Sequence, residues 1–274
     1  LGHEISGVVT EVGSDVHGWS VGDRAVVVSI QGCLDCEQCG AGQTQRCSRR
    51  VVIGLSYDGA MAEYVRVSAS YLVPVPQSMS PIVAAAVEPL SVAAHATMTV
   101  GGVAAGDRVV VSGAGFVGIG CALLAKDAGA DVTLIGAARD AVSRLPAAAA
   151  LGLSVSTFDE RHWGSPDVWI EASGAPAALA AAVADTRVGG RVSAVGLYAD
   201  APVADLNLLV RREIGLRGSY ASAAVEYLRV IDLLSAGRLC IDPLLQTFDL
   251  ETGTEAFQAA AESRAIKPII VPVA

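Results

Sequence analysis

The sequence lacks any excess of basic charge. Its 19 Lys and Arg stand against 28 Asp and Glu, for a net charge of −9 and a pI near 4.9. That balance argues against nucleic acid or an acidic membrane surface as a partner. It also lacks a membrane-crossing run. The most apolar stretch, residues 82–100, is interrupted by Glu88, Pro89 and His95, and a bilayer span needs ~20 consecutive apolar residues. No basic n-region with a cleavage site is present, so a cytoplasmic location is expected. Apolar residues, by contrast, are plentiful: they make up 52% of the 274 residues, and mean hydropathy is +0.49. This is ample core material for one large domain or two ordinary ones. Much of it is alanine, which suits helices packed closely on a sheet. The chain opens Leu1-Gly2-His3-Glu4 with neither Met nor a strand before it, so an upstream segment is expected to be missing.

Four cysteines, Cys33, Cys36, Cys39 and Cys47, carry the most specific signal. Their C-x2-C-x2-C-x7-C spacing fits four thiolates around one Zn²⁺. Two disulfides or a redox dithiol are the alternative, but a third and fourth thiol would be surplus to a redox pair. A four-thiolate site leaves no open coordination position, so this zinc shapes a lobe and the chemistry lies elsewhere. Cys121 and Cys240 sit in apolar surroundings and are expected to be buried and inert.

Val- and Ile-rich segments at 4–12, 24–30, 62–67 and 71–75, separated by turn signals, predict an all-β lobe with the cysteine loop inserted. A helix is expected over 81–97. Beyond it, strands at 107–112, 131–135, 153–157, 167–171 and 191–195 alternate with helical stretches. This predicts an α/β region with a parallel sheet covered on both faces. The segment 157–165 leaves little room for a helix. The expected division is 1–92, 93–220 and 221–274.

Gly113-Ala114-Gly115-Phe116-Val117-Gly118 is G-x-G-x-x-G placed directly after a strand and opening a helix. That context marks a dinucleotide site: one glycine for the turn, one for approach of the pyrophosphate and one for helix–strand packing. The next strand ends at Gly136, without the acidic residue that holds a ribose, and Arg139 follows. NADP is therefore favoured, with NAD left open. Ser173 and Gly174 close a later strand at its carboxyl edge, where ligands bind in such sheets, and are assigned to the cofactor with Gly196. Tyr198 is placed near the same edge. His162 and Trp163 carry no assignment.

Several further motifs stand beside these: Gly2-His3-Glu4-x-x-Gly7, Gly22-Asp23-Arg24, Asp58-Gly59-Ala60-Met61-Ala62-Glu63-Tyr64, Glu88-Pro89-Leu90, Glu171-Ala172-Ser173-Gly174, Gly189-Gly190-Arg191 and Arg217-Gly218-Ser219-Tyr220. Together they make the chain resemble the zinc-dependent medium-chain dehydrogenase/reductase superfamily, in its polyol, sugar and threonine dehydrogenase branch. The resemblance implies a GroES-like β catalytic lobe, incomplete at its N-terminus, a Rossmann doubly wound parallel-sheet domain, and a C-terminal segment returning to the catalytic domain. It implies His3 as a catalytic-zinc ligand, Glu4 as a ligand or its exchangeable neighbour, and Glu88 as a ligand of the metal or its bound water. The family's catalytic-zinc cysteine comes from a segment upstream of Gly2-His3-Glu4, and none of the six cysteines here fits that role. The implied activity is hydride transfer between a small secondary alcohol (polyol, sugar or amino alcohol) and NADP or NAD, in a homodimer or homotetramer. The alternative is a non-catalytic nucleotide-binding homologue, or an inactive fragment, with only the structural zinc.

Overall fold

Short strands and tight turns build the first part of the chain. The computed structural model describes residues 1–161 and 163–272. Strands β1 (Ser6–Val8) and β2 (Arg24–Val27) pair antiparallel, Ser6 opposite Val26. β3 (Ile30–Gln31) pairs with β4 (Val51–Val52), and between them runs the cysteine loop with its one-turn helix α1 (Glu37–Gly40). β5 (Leu72–Pro74) completes a three-stranded sheet in the order β1-β2-β5. Ile5, Val27 and Ile53 form its buried centre.

Three expectations change here. The segment 4–12 forms a ladder only over Ser6–Val8. The segment 62–67 is no strand: Val65 and Val67 turn onto the apolar centre, but no neighbouring backbone among the described residues supplies a ladder. The run 24–30 breaks at Ser29, whose N–H donates to the Tyr227 hydroxyl at 3.2 Å. The predicted helix 81–97 is also divided. Ser80 caps α2 (Pro81–Ala85), α3 (Val87–Ala94) follows, and a π-helical turn spans His95–Val100.

The chain then changes character, because β-branched runs buried on both faces need helices on either side. β6 (Arg108–Ser112) leads into α4 (Phe116–Asp127). β7 (Asp131–Gly136), α5 (Arg144–Ala150) and β8 (Ser154–Thr157) continue on one side. β9 (Val168–Glu171), α6 (Pro176–Asp185), β10 (Arg191–Ala194), α7 (Leu206–Arg211) and β11 (Gly215–Gly218) continue on the other. All strand pairs are parallel and the order is β11-β10-β9-β6-β7-β8. The connection reverses direction between β6 and β9, the switch point at which such sheets bind ligands. Trp169 is fully buried beneath α6, and no helix occupies the described part of the β8–β9 interval, where Phe158 and Trp163 instead pack into the core. His162 lies outside the described residues.

The last part holds α8 (Ala224–Ser235), the parallel pair β12 (Leu245–Asp249) and β13 (Lys267–Val271), and α9 (Gly253–Ala261). Cys240 is exposed, contrary to expectation: it alternates outward between buried Leu239 and Ile241, whereas Cys121 is buried. Two units result, Leu1–Ser91 with Ala221–Ala274, and Val92–Tyr220. No helix among the described residues is long and apolar enough to cross a membrane.

Candidate active site

Two groups among the described residues are arranged to take a metal ion: Cys33, Cys36, Cys39 and Cys47, and His3, Glu4 and Glu88, each with its donor atoms within 4.8 Å of one another. Cys33 Sγ and Cys39 Sγ are 4.0 Å apart, far beyond a disulfide bond. That is close to the ~3.8 Å between sulfurs of a tetrahedral site with Zn–S near 2.3 Å. Arg49 donates to Cys33 Sγ at 3.0 Å and pairs with Asp35. Burial raises the Cys47 thiol, but the backbone N–H groups of Cys33 and Arg49 outweigh it and bring the pKa down to about 7. Cys33, beside Asp35, is pushed up to about 11 and Cys39 is raised by burial, so the loop favours thiolate at Cys47 and not at those two. Arg49 was not singled out by the spacing of the cysteines.

The second group is held by glycine. Gly2, at φ +90°, sits where a Cβ would meet Met61 N at 2.7 Å, and a Cβ on Gly59 would lie 2.3 Å from Gly2 O. Ala60 N–H bonds Gly2 O at 3.0 Å. Gly2-His3 and Asp58-Gly59 are thus one packed unit, which fixes the imidazole next to Glu4. Glu88, in the first turn of α3, is 6% exposed and accepts from Ser29 Oγ at 2.6 Å. Ser91 Oγ bonds the Glu88 carbonyl and Ser222 Oγ, each at 2.6 Å. Burial pushes the Glu88 carboxyl up to about 7; nearby Glu4 adds to the rise, and Ser29 and Lys267 oppose it. Glu4 is ion-paired with Lys267. A buried carboxylate facing a second carboxylate is an unfavourable anion by itself, and a divalent cation reverses that preference. The imidazole and carboxylate donors suit Zn²⁺. Ser29, Tyr227 and Lys267 were missed by the sequence reading because each is remote along the chain.

The residues expected to hold the dinucleotide lie along the carboxyl edge of the six-stranded sheet. Gly115 is the N-cap of α4 with no side-chain cap, and a Cβ there would meet nothing within 4 Å. A Cβ on Gly118 would sit 1.8 Å from Gly113 O. The middle glycine leaves room for a pyrophosphate at the helix N-terminus, and the last lets the helix close on the turn. Phe116 is buried and Val117 half-buried. Gly136 ends β7. The carboxylate of Asp140 is turned inward, accepting from Ala137 N at 2.9 Å and from Arg144 at 3.2 Å. Arg139 is exposed. Ser173, Gly174 and Gly196 gather around the carboxylate of Glu171.

A thiolate zinc loop, an imidazole–carboxylate metal cluster and a glycine bend in a doubly wound sheet define a zinc-dependent oxidoreductase that moves hydride between a secondary alcohol and a nicotinamide cofactor. Comparison with known proteins agrees. Residues 1–77 match the alcohol dehydrogenase GroES-like domain and residues 117–236 the zinc-binding dehydrogenase family. The chain is 32% identical to 2-dehydro-3-deoxy-L-galactonate 5-dehydrogenase of Pseudoalteromonas atlantica, over 90% of this chain and 74% of that one. It is also 32% identical to D-arabitol-phosphate dehydrogenase of Enterococcus avium, over 98% and 80%. Among solved structures, a zinc-binding dehydrogenase of Sinorhizobium meliloti bound to NADP superposes with a TM-score of 0.90 at 27% identity, covering 99% of this chain and 83% of that one. The chain belongs to the zinc-dependent medium-chain dehydrogenase/reductase superfamily.

Proposed function

We propose that the protein oxidises a polyol, sugar or amino alcohol at a zinc held by His3 and Glu88, with Glu4 as third ligand or its exchangeable neighbour, and reduces NADP in preference to NAD. The observation that carries this is the convergence of His3, Glu4 and Glu88 around a carboxylate too buried to be stable alone. When bound, zinc supplies the Lewis acidity that makes an alcohol oxygen easy to deprotonate or a carbonyl easy to reduce, and the nicotinamide carries the hydride. The remaining work belongs to the chain. Ser29 holds one Glu88 oxygen by its 2.6 Å bond, and the other would be available to hold the zinc. Lys267 pairs with Glu4 and holds its carboxylate in place beside His3 and Glu88. Gly113, Gly115 and Gly118 admit the pyrophosphate, and the inward turn of Asp140 leaves Arg139 to meet a 2′-phosphate.

A homodimer or homotetramer in the cytoplasm is part of the same reading. The edge strand β11 is exposed throughout, and Leu206 and Val210 on α7 are 68% and 77% exposed, which favours self-association. The test is turnover of a panel of polyols, sugar acids and amino alcohols by the zinc-loaded protein, with each cofactor and with and without chelator. Turnover lost on chelation, and faster with NADP, is expected. No turnover of any alcohol while zinc is fully loaded would refute the reading.

A further inference from the structure

Glu171 is fully buried at the carboxyl end of β9, yet nothing in the reaction uses it. Its carboxylate collects donors from two separate loops. From the loop after β9 come Ser173 N at 2.8 Å, the Ser173 hydroxyl and Gly174 N at 3.3 Å. From the loop after β10 comes the Tyr198 hydroxyl at 2.5 Å. The backbones of the two loops also touch. Gly174 has φ +66°, and a Cβ on it would lie 2.3 Å from Leu197 O; a Cβ on Gly196 would lie 2.4 Å from Gly174 N and 2.7 Å from Glu171 Oε2. The Tyr198 ring packs on the core containing Trp169 and Val192. That packing holds the phenol where its hydroxyl meets Glu171.

The position of this knot along the sheet gives it a role. With strand order β11-β10-β9-β6-β7-β8, a dinucleotide whose pyrophosphate lies at the end of β6 extends its adenosine half over β7 and β8. Its other half extends over β9 and β10. The knot is built only from loops on the second side. We propose that Tyr198 is a positioning residue: by donating to Glu171 it locks the two loops into one rigid floor for the nicotinamide half of the cofactor. This rests on the cofactor assignment made above. Without the phenol, the start of the loop after β10 keeps its glycine contacts and the backbone bonds of Val195 and Gly196 to Glu171 O, but the segment at Tyr198 loses its side-chain tie, and the nicotinamide loses a fixed surface while the adenosine half keeps its own.

The test compares binding of NADPH and of 2′-phospho-ADP-ribose, which lacks the nicotinamide ring, to the wild-type protein and to Tyr198→Phe, by calorimetry. Tyr198→Phe keeps the ring on the core and removes one bond to a buried carboxylate. Expected is a loss of roughly tenfold in NADPH affinity, the scale of a hydrogen bond to a charged group, with 2′-phospho-ADP-ribose binding unchanged. In turnover, KM for the cofactor should rise more than kcat falls. Equal loss for both ligands, or no loss with only a lower melting temperature, would overturn the proposal and leave the knot a purely structural feature. Should the variant unfold, hydrogen exchange of the wild-type protein decides instead: NADPH must slow exchange in the loop after β10 more than 2′-phospho-ADP-ribose does, and equal protection by both ligands makes the proposal fail. A wild-type protein that binds neither ligand would instead refute the cofactor assignment itself.

Discussion

Glu88 and Glu171 are carboxylates shut away from solvent to nearly the same degree, 6% and 0% exposed, and their surroundings differ sharply. Glu171 is met by two backbone N–H groups and two hydroxyls, enough to replace its lost hydration from protein groups alone. Glu88 has the single hydroxyl of Ser29 and a second carboxylate, Glu4, close by. One carboxylate is satisfied by protein groups. The other keeps only partial compensation, from Ser29 and the nearby Lys267, and in the proposed function a bound cation would supply the rest. The two buried carboxylates thus differ in kind: Glu171 is bonded by protein groups and ties loops together, whereas Glu88 has few donors and suits a cation.

The largest expected effect tests the unfinished member. Glu88→Gln should lower turnover at least about 100-fold by removing a charged zinc donor, read as kcat at saturating zinc. The same substitution should not destabilise the metal-free protein near neutral pH. Folding raises the Glu88 pKa from 4.5 to about 7, so the folded state takes up a proton between those values. The stability present below pH 4.5 is thus lost as pH rises to about 7, and a neutral amide escapes that loss. Thermal melts of chelated protein at pH 8 measure it; a marked drop for Glu88→Gln would erase the contrast.

The finished member should respond in the opposite way. Glu171→Leu leaves several buried donors unpaired and should cost about 3 kcal/mol or more, lowering the melting temperature whether or not zinc is present. A melt shift comparable to that of a surface substitution would contradict the account. The smallest effect concerns Asp167, just before β9 at its other end, its side chain 19% exposed. Its pKa is lowered from 3.8, first by the Arg108 backbone N–H and then by Arg187. Because the folded value is depressed, its stabilisation is full above pH 3.8 and disappears as pH falls through the folded value. Asp167→Asn should therefore cost about 1 kcal/mol or less at neutral pH. The difference from wild type should close in acid, as followed by circular dichroism.

What was legible in the sequence follows the same division. The cysteine loop and the glycine bend are local, and their spacing alone gives their chemistry; the strand–helix alternation gave the parallel sheet for the same reason. Glu88 was visible as part of Glu-Pro-Leu, but its support was not. Ser29 is 59 residues away, Tyr227 bonds Ser29 across 198, and Lys267 reaches Glu4 across 263. No periodicity encodes such contacts. Residues 62–67 failed for a related reason: alternation tells which side chains face inward, as Val65 and Val67 do, but a ladder also needs a neighbouring backbone. Cys240 was misjudged because its apolar neighbours, not the thiol, face the core.

The claim beneath all of this is that the chain holds zinc in two chemically different places. X-ray absorption at the zinc edge of the zinc-saturated protein addresses it directly. The account predicts about two zinc per chain, one with four sulfurs near 2.3 Å and one whose shell includes nitrogen and oxygen at about 2.0–2.1 Å, the second shell alone disappearing in Glu88→Gln. A single zinc with only a four-sulfur shell, unchanged by that substitution, would contradict it.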